Sequence, residues 1–144
     1  MFGIRGASQI INIFRNWSRS YSAWVTILDT NLQPNAGPFH PQPTMIQIDP
    51  ETLDVIYNLE YFVYGQFSKF IPRGSIRILS EDSVTDESKK ALTHVAFQDT
   101  LSNKIILVVT NVEASIIKTQ ITYDGKFALL QLPPRSVSTF LWVP

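Results

Sequence analysis

The sequence predicts an α+β protein in which an α/β segment is followed by an antiparallel β-sandwich. In the first half, apolar residues recur with helical spacing on both sides of a β-branched run. In the second half, six short strand-like runs follow one another without an intervening helix. The change in spacing falls between Pro72 and Gly74. We therefore predict two units, residues 1–72 and residues 73–144.

The first unit begins with a predicted amphipathic helix from Ala7 to about Ser20. Its apolar positions follow one helical face: Ile10, Ile13, Phe14, Trp17 and Tyr21. The next run, AWVTIL at residues 23–28, is almost continuously apolar and is typical of a strand that is covered on both faces in a parallel sheet. A helix directly before such a strand indicates an α/β unit.

The rest of the first unit predicts a loop, a hairpin and a second helix. Residues 29–44 contain four Pro with Asn and Gly, which excludes a helix or a regular strand ladder. Residues 45–58 alternate around a turn that starts at Pro50, as expected of a short hairpin. Apolar residues from Leu59 to Phe70 then return to helical spacing and stop before Pro72.

The second unit reads as six strands, SIRIL, THVAFQ, KIILVVTN, IIKTQITY, KFALLQL and VSTFLW. The Asp124-Gly125 pair predicts a two-residue hairpin that places Tyr123 opposite Lys126, because Asp and Gly tolerate positive φ. The acidic, Ser-rich segment at residues 80–90 is predicted to be a solvated loop.

Composition narrows the functional classes. The 144 residues are 44% hydrophobic, and twelve basic side chains balance twelve acidic ones, so no net field favours nucleic acid or an anionic membrane. The absence of Cys excludes disulfides and a thiol nucleophile. No signal peptide and no membrane span is predicted, and the compartment is not determined by the sequence.

Few residues carry recognisable chemistry. Most acidic residues fall in polar turns, but Asp29 ends the predicted buried strand, where it either caps loop N–H groups or faces a site. His40 and His94 are too few and too far apart for a metal centre, and His94 lies in a predicted strand, where a structural role is expected. We predict no metal site and no cofactor.

Trp24 has two interpretations. Periodicity alone favours packing in a core, the usual fate of a strand tryptophan. The alternative is a sugar platform, because an indole face offers an apolar plane to the C–H face of a pyranose.

Four segments of the chain resemble the C-terminal part of glycoside hydrolase family 30, which includes glucosylceramidases and endo-β-1,6-glucanases. They are NWSRSYSAWVTILDTNLQPNAGP, YNLEYFVYGQFSKFIPRGSIRI, VAFQDTLSNKIILVVTN and LPPRSVSTFLW. The resemblance extends from about Ile10 to Trp142, and its most specific part is GQFSKFIPRGSIRI.

The resemblance implies the last strand and flanking helices of a (β/α)8 barrel in residues 1–72, followed by the sandwich in residues 73–144. The longer protein that would contain this chain, here called the parent, would hydrolyse O-glycosyl bonds with retention, in glucosylceramide or a β-glucan. Its substrate partner would be a carbohydrate or glycolipid, and it would be secreted or lysosome-like. The two catalytic glutamates of the family are expected upstream of Met1, so this chain alone is expected to be inactive and to self-associate through uncovered apolar surface.

The resemblance also assigns substrate-binding residues. Trp24 matches a tryptophan that borders the sugar, which favours the platform interpretation, and Asp29 and Asn35 match the loop at the rim of the site. Val25 stands where the glucosylceramidases usually have Asn, and the loop before NAGP is longer, which favours a glucanase or another β-glycosidase. The open alternative is a non-catalytic structural or weak carbohydrate-binding remnant.

Overall fold

The computed structural model describes residues 2–35, 44–82 and 91–144. These residues form two helices and nine strands, which are α1 (Phe2–Arg15), β1 (Ile27–Asp29), β2 (Ile46–Ile48), β3 (Val55–Tyr57), α2 (Leu59–Ser68), β4 (Ile76–Ile78), β5 (Leu92–Gln98), β6 (Ile105–Asn111), β7 (Ile117–Tyr123), β8 (Lys126–Leu132) and β9 (Ser136–Trp142). The chain is therefore an α+β protein rich in β-structure, as predicted.

The nine strands form three sheets. A small sheet has the order β1-β2-β3, with β1 and β2 parallel and β2 and β3 antiparallel. A four-stranded antiparallel sheet has the order β4-β5-β6-β9, and β7 pairs with β8 as a hairpin. The six strands predicted after Gly74 are all present and make up the last two sheets.

The four-stranded sheet is covered on both faces. Helices α1 and α2 pack on one face, where Ile11 and Phe67 join Val95 and Val108 in a buried apolar cluster. On the opposite face, Leu132 of β8 packs with residues of β5 and β6. The result is a layer of helices, a central sheet and a second sheet that completes a sandwich.

Two close contacts fix the helices. The two helices approach each other at Gly3, where an added Cβ would lie 2.7 Å from the Leu59 side chain. Helix α2 is held to strand β9 by the Thr139 hydroxyl, which donates to the Gln66 carbonyl at 3.0 Å. The close packing of the two helices, and not a turn conformation, therefore requires a glycine at position 3.

The second half agrees closely with its predicted strands. Asp124 and Gly125 have φ of 48° and 72°, and Tyr123 pairs with Lys126, as the hairpin prediction requires. Trp142 packs edge-on against Tyr123 with ring centroids 5.8 Å apart, next to the apolar cluster between the two layers of the sandwich.

The first half corrects two predictions. Helix α1 spans Phe2–Arg15 rather than Ala7 to Ser20, and Trp17 lies beyond its end at φ 68°, outside the predicted apolar face. The predicted strand at residues 23–28 shortens to Ile27–Asp29, and its residues are not covered on both faces, since Trp24 and Ile27 are exposed. The apolar run is present and its Leu28 is buried, but the described residues leave Trp24 and Ile27 uncovered.

Two further predictions of the first half, the short hairpin and the second helix, are confirmed. The hairpin of β2 and β3 is present, and α2 ends at Ser68, before Pro72. Residues 36–43 of the predicted loop, which include Pro38 and His40, and residues 83–90 of the predicted acidic loop at 80–90 lie outside the described residues.

Because the helices and the sandwich share one buried core, we expect them to unfold together when contacts in that core are weakened. Ile11 is fully buried between α1 and the sheet, so Ile11→Ala should lower the free energy of unfolding by about 2–5 kcal/mol. Ile13→Ala, on the same helix but 37% exposed, is the matched control and should cost clearly less. Urea unfolding, monitored by tryptophan fluorescence and by circular dichroism, measures the free energy of unfolding of both variants. An equal loss of stability in the two variants would contradict the assigned core.

A second prediction concerns the turn between β5 and β6. The side chain of Asp99 accepts hydrogen bonds from the Ser102 hydroxyl and, at 3.1 Å, from the Leu101 N–H. The Ser102 bond, with the Leu101 bond, lowers the pKa of Asp99 below its ordinary value. A depressed carboxyl pKa stabilises the fold above the unfolded pKa of about 4, and this contribution disappears as pH falls through the folded value.

Asp99→Ala should therefore lower the melting temperature at pH 7, and the difference from the wild type should shrink as pH falls below about 4. Ser102→Ala, which removes the largest cause of the shift, should reproduce part of the effect. Thermal unfolding across this pH range is the measurement. A difference that stays constant down to about pH 2 would show that ionisation of Asp99 does not contribute.

Candidate functional site

Trp24 lies on the segment between α1 and β1, and its side chain is 85% exposed. The peptide bond that joins it to Val25 is cis. The indole borders a cavity of about 200 Å³ between this segment and the two helices. Among the described residues, Trp24 is therefore a surface residue beside a concave site and not part of a core.

Two polar residues of α2 share this cavity. Glu60 and Tyr64 are four residues apart on one helical face, and both line the cavity with Trp24. Burial raises the pKa of Tyr64 above its ordinary value, and the neighbouring Tyr21 acts in the same direction, so the phenol stays protonated and can donate a hydrogen bond. Neither residue was among the site residues predicted from the sequence. Their i, i+4 spacing was the only available signal, and it did not connect them to Trp24.

Asp29 closes a turn immediately after β1. Its carboxylate accepts a hydrogen bond from the Gln33 N–H at 2.7 Å, and its own N–H donates to the Gln33 carbonyl at 2.7 Å. This is the structural alternative that the sequence left open for a strand-end Asp. The described residues around the Trp24 cavity do not include Asp29.

Asn35 follows in the same turn. Its N–H donates to the Gln33 side-chain carbonyl at 3.1 Å, so Asp29 and Asn35 are both connected to Gln33. The next residues of the NAGP loop, Ala36 to Pro38, lie outside the described residues. The structure thus brings Asp29 and Asn35 together and leaves Trp24 in a separate cavity.

The Trp24 cavity combines an apolar plane with polar groups. It offers an exposed indole face, one carboxylate from Glu60 and the phenol of Tyr64. Retaining glycoside hydrolysis requires two carboxyl groups about 5–5.5 Å apart. Among the described residues that line this cavity, Glu60 is the only carboxylate, so the described lining does not supply the catalytic pair.

His94 has the predicted structural surroundings. Its two ring nitrogens lie 3.1 Å from the Ser80 hydroxyl and 2.9 Å from the Asp82 carboxylate, and Arg15 donates to its carbonyl at 3.1 Å. These side chains have the composition of a hydrolytic triad. The Asp82 side chain is 59% exposed, however, and the Arg15 guanidinium lies 3.5 Å from the same ring nitrogen. A triad needs a buried carboxylate that orients the imidazole. The contacts instead join the end of α1 to β5.

The described residues contain neither a metal site nor a helix that could span a membrane. Within residues 2–35, 44–82 and 91–144, no three His, Asp or Glu side chains are placed to hold a metal ion. Neither described helix is long and apolar enough to cross a bilayer.

Comparison with known proteins identifies the sandwich. Residues 74–140 match the glycosyl hydrolase family 30 β-sandwich domain. These residues begin two positions before β4 and end within β9, so they include strands β4 to β8 and most of β9, which form the four-stranded sheet and the β7-β8 hairpin. The chain thus carries a domain type that belongs to glycoside hydrolases.

The similar proteins agree with this match. The chain is 23% identical over 137 residues to putative glucosylceramidase 3 of Caenorhabditis elegans. The alignment covers 94% of this chain and 25% of that protein. The solved endo-β1,6-glucanase BT3312 has a TM-score of 0.82 at 19% identity and covers 98% of this chain. SrfJ of Salmonella typhimurium has a TM-score of 0.79 at 22% identity and covers 99% of this chain.

These findings confirm the resemblance stated from the sequence: residues 74–140 match the C-terminal β-sandwich domain of glycoside hydrolase family 30, and the chain is similar along nearly its whole length to a putative glucosylceramidase and to a solved endo-β1,6-glucanase. The chain spans 25% of the curated relative and 31% of each of these two solved structures.

Proposed function

We propose that this chain is part of a retaining β-glycosidase that hydrolyses O-glycosyl bonds of the glucosylceramide or β-glucan class. In this proposal residues 1–72 form the end of a (β/α)8 barrel and residues 73–144 form the sandwich. The chain supplies a sugar-contacting surface at Trp24, and the catalytic glutamates come from elsewhere in the parent.

The observation that carries the proposal is the uncovered apolar surface of the first half. Strand β3 exposes all three of its side chains, so both of its faces lack a covering layer. Large apolar side chains of the neighbouring elements are exposed as well: Trp24, Ile27, Leu59, Tyr61 and Phe62. Soluble monomers rarely expose a contiguous apolar surface of this extent, so it favours burial against another part of a larger fold.

The small sheet supports a barrel origin for this surface. Strands β1 and β2 pair in parallel, from Ile27 with Ile46 to Asp29 with Ile48. Parallel strands normally have helices on one side and a packed interior on the other. The remaining strands of a barrel would cover this surface, and the share of its relatives that the chain spans leaves room for them.

Trp24 is the residue to which we assign sugar contact. Its exposed indole, the adjacent Glu60 carboxylate and the protonated Tyr64 phenol combine an apolar plane with hydrogen-bonding groups. We place Asp29 and Asn35 at the rim of the same site in the parent, where their turn would hold the loop that follows β1.

The names of two similar proteins support this class of substrate. One is a putative glucosylceramidase and one is an endo-β1,6-glucanase. Both names describe enzymes that act on β-linked glucose, which is the substrate class we propose for the parent.

A non-catalytic role is the second candidate. It is favoured by the single carboxylate of the Trp24 cavity, since a lone carboxylate does not provide the nucleophile and the acid of retaining hydrolysis. In this case the chain is a structural or weakly carbohydrate-binding remnant.

The primary test uses the parent expressed from its full reading frame. Trp24→Ala should lower kcat/KM on an aryl β-glucoside by about 10- to 100-fold, because the sugar loses its apolar wall. Trp24→Phe should recover part of the loss, since an aromatic face remains. Phe127→Ala, an equally drastic change at an exposed aromatic residue of β8, is the control. Unchanged kinetics for Trp24→Ala would remove this residue from the site.

The purified 144-residue chain provides a second test. We expect no turnover of the aryl β-glucoside, and we expect concentration-dependent association in sedimentation velocity because of the uncovered face around β3. Activity of the isolated chain would contradict both candidates as stated. A monomer at high concentration would contradict the assignment of the exposed face to a missing interface.

A further inference from the structure

A groove beside the C-terminal end of α1 shares Ile10, Tyr21 and Tyr64 with the Trp24 cavity and extends from them to residues that have no role in the proposed glycosidase site. Its volume of about 680 Å³ is within the usual range for ligand sites. It lies between the end of α1, the loop that follows α2 and strand β4. Trp17 and Arg77 face each other across its surface. Trp24 and Glu60 do not line it.

The contact between Trp17 and Arg77 is the central feature of the groove. The carbon at the centre of the Arg77 guanidinium lies 3.9 Å from the centroid of the Trp17 ring. The indole is nevertheless 72% exposed, so much of its surface is available to a ligand. Stacking on an aromatic ring fixes the plane of a guanidinium and leaves its N–H edge free for a planar acceptor.

Arg77 lacks an acceptor within the described residues. Its Nε is buried and has no hydrogen-bond partner there, and the buried hydroxyl of Ser75, two residues earlier, has none either. Buried polar atoms are nearly always paired in folded proteins, and an unpaired cation is more costly than an unpaired neutral group. Both residues line the groove, so a ligand in the groove would place acceptors beside them.

The charge of the groove is positive although the chain as a whole is neutral. Arg19 and Arg73 line it with Arg77, and no Asp or Glu belongs to its described lining. No ion pair or hydrogen bond of these three guanidinium groups occurs within the described ranges. Three such arginines on one concave surface favour an anionic ligand. Each guanidinium group can donate two parallel N–H hydrogen bonds to a carboxylate, sulfate or phosphate group.

The other lining groups favour a carbohydrate. Tyr21 and Tyr64 stand at one side of the groove with ring centroids 5.7 Å apart, and they supply aromatic surface and hydroxyl groups. The Ser18 and Ser68 side chains add further hydroxyls. Aromatic planes combined with hydroxyls match the alternating C–H faces and hydroxyls of a sugar ring, and the arginines match an acidic substituent on it.

We propose that this groove binds an acidic oligosaccharide, one that carries carboxylate or sulfate groups, at a position that adjoins the Trp24 cavity through Tyr21 and Tyr64. The carbohydrate part of this ligand class rests on the proposed function. The anionic part rests only on the arginines of the groove.

The test measures binding to the 144-residue chain by isothermal titration calorimetry, so that it depends neither on hydrolysis nor on the parent. The probe is an oligomer of galacturonic acid, and its fully methyl-esterified form is the uncharged counterpart. We expect the acid form to bind and the ester to bind about tenfold more weakly or not at all. Added salt should weaken the binding of the acid form.

Variants locate the site. Arg77→Gln and Trp17→Ala should each weaken binding about tenfold or more, and Arg77→Lys should not restore it, because an ammonium group has no planar fork. Arg19→Gln changes an exposed side chain and tests the same groove without disturbing strand β4. The matched controls are Arg135→Gln and Phe127→Ala, which lie outside the groove and should leave the affinity unchanged.

Several results would overturn the proposal. Absence of binding to the wild-type chain would reject the site, and so would equal losses in the groove variants and the controls. Equal affinity for inorganic sulfate or for a short polyglutamate peptide would reject the carbohydrate as the ligand. Loss of parent activity in Trp24→Ala would not bear on any of these outcomes, so failure here and failure of the glycosidase proposal remain distinguishable.

Discussion

Burial of strand β6 on both faces is the constraint on which the rest of the structure depends. All seven of its residues, Ile105–Asn111, are buried. Ile106 and Val108 point to the helices, whereas Leu107 and Val109 point to the second sheet. Because side chains alternate along a strand, one apolar run supplies both cores at once. The helices and the β7-β8 hairpin are therefore fixed relative to each other through this strand.

Polar groups at the end of β6 reinforce this arrangement. The Asn111 side chain is buried, and its amide group donates to the carbonyls of Ser115 and Pro133 at 2.9 and 2.8 Å. Its side-chain oxygen accepts from the Glu113 N–H at 2.9 Å. A buried amide that is satisfied in this way costs little and specifies one chain path, because any displacement would leave its groups unpaired. This residue thus connects the central sheet to the end of β8.

The two halves of the chain differ in how far local sequence could predict them. In the sandwich, strand bounds and hairpin register follow from alternation and turn residues, as the Tyr123 and Lys126 pair illustrates. In the first half, AWVTIL has the pattern of a buried strand, yet Trp24 is 85% exposed. A pattern records which surface is apolar, but burial also requires another layer. The covering layer would come from the rest of the parent in the proposal above.

Predictions about the candidate site divide in the same way. The turn role of Asp29 was one of two alternatives in the sequence, and its bond with Gln33 at 2.7 Å is local, four residues away along the chain. The proximity of Trp24 to Glu60 could not be predicted, since it depends on how α2 packs beside the segment before β1. The same holds for Trp17 and Arg77, which are far apart in the sequence and stack at 3.9 Å.

The sequence by itself determined the α+β class, the six strands after Gly74, the second helix and the resemblance to glycoside hydrolase family 30. These features depend on spacing, turn chemistry and motifs that act over a few residues. Only the tertiary structure decided that α1 ends at Arg15, that Trp24 faces a cavity, and that unpaired arginines collect in a single groove. The physical reason is that exposure, pairing and desolvation depend on contacts between distant segments, which no local pattern encodes.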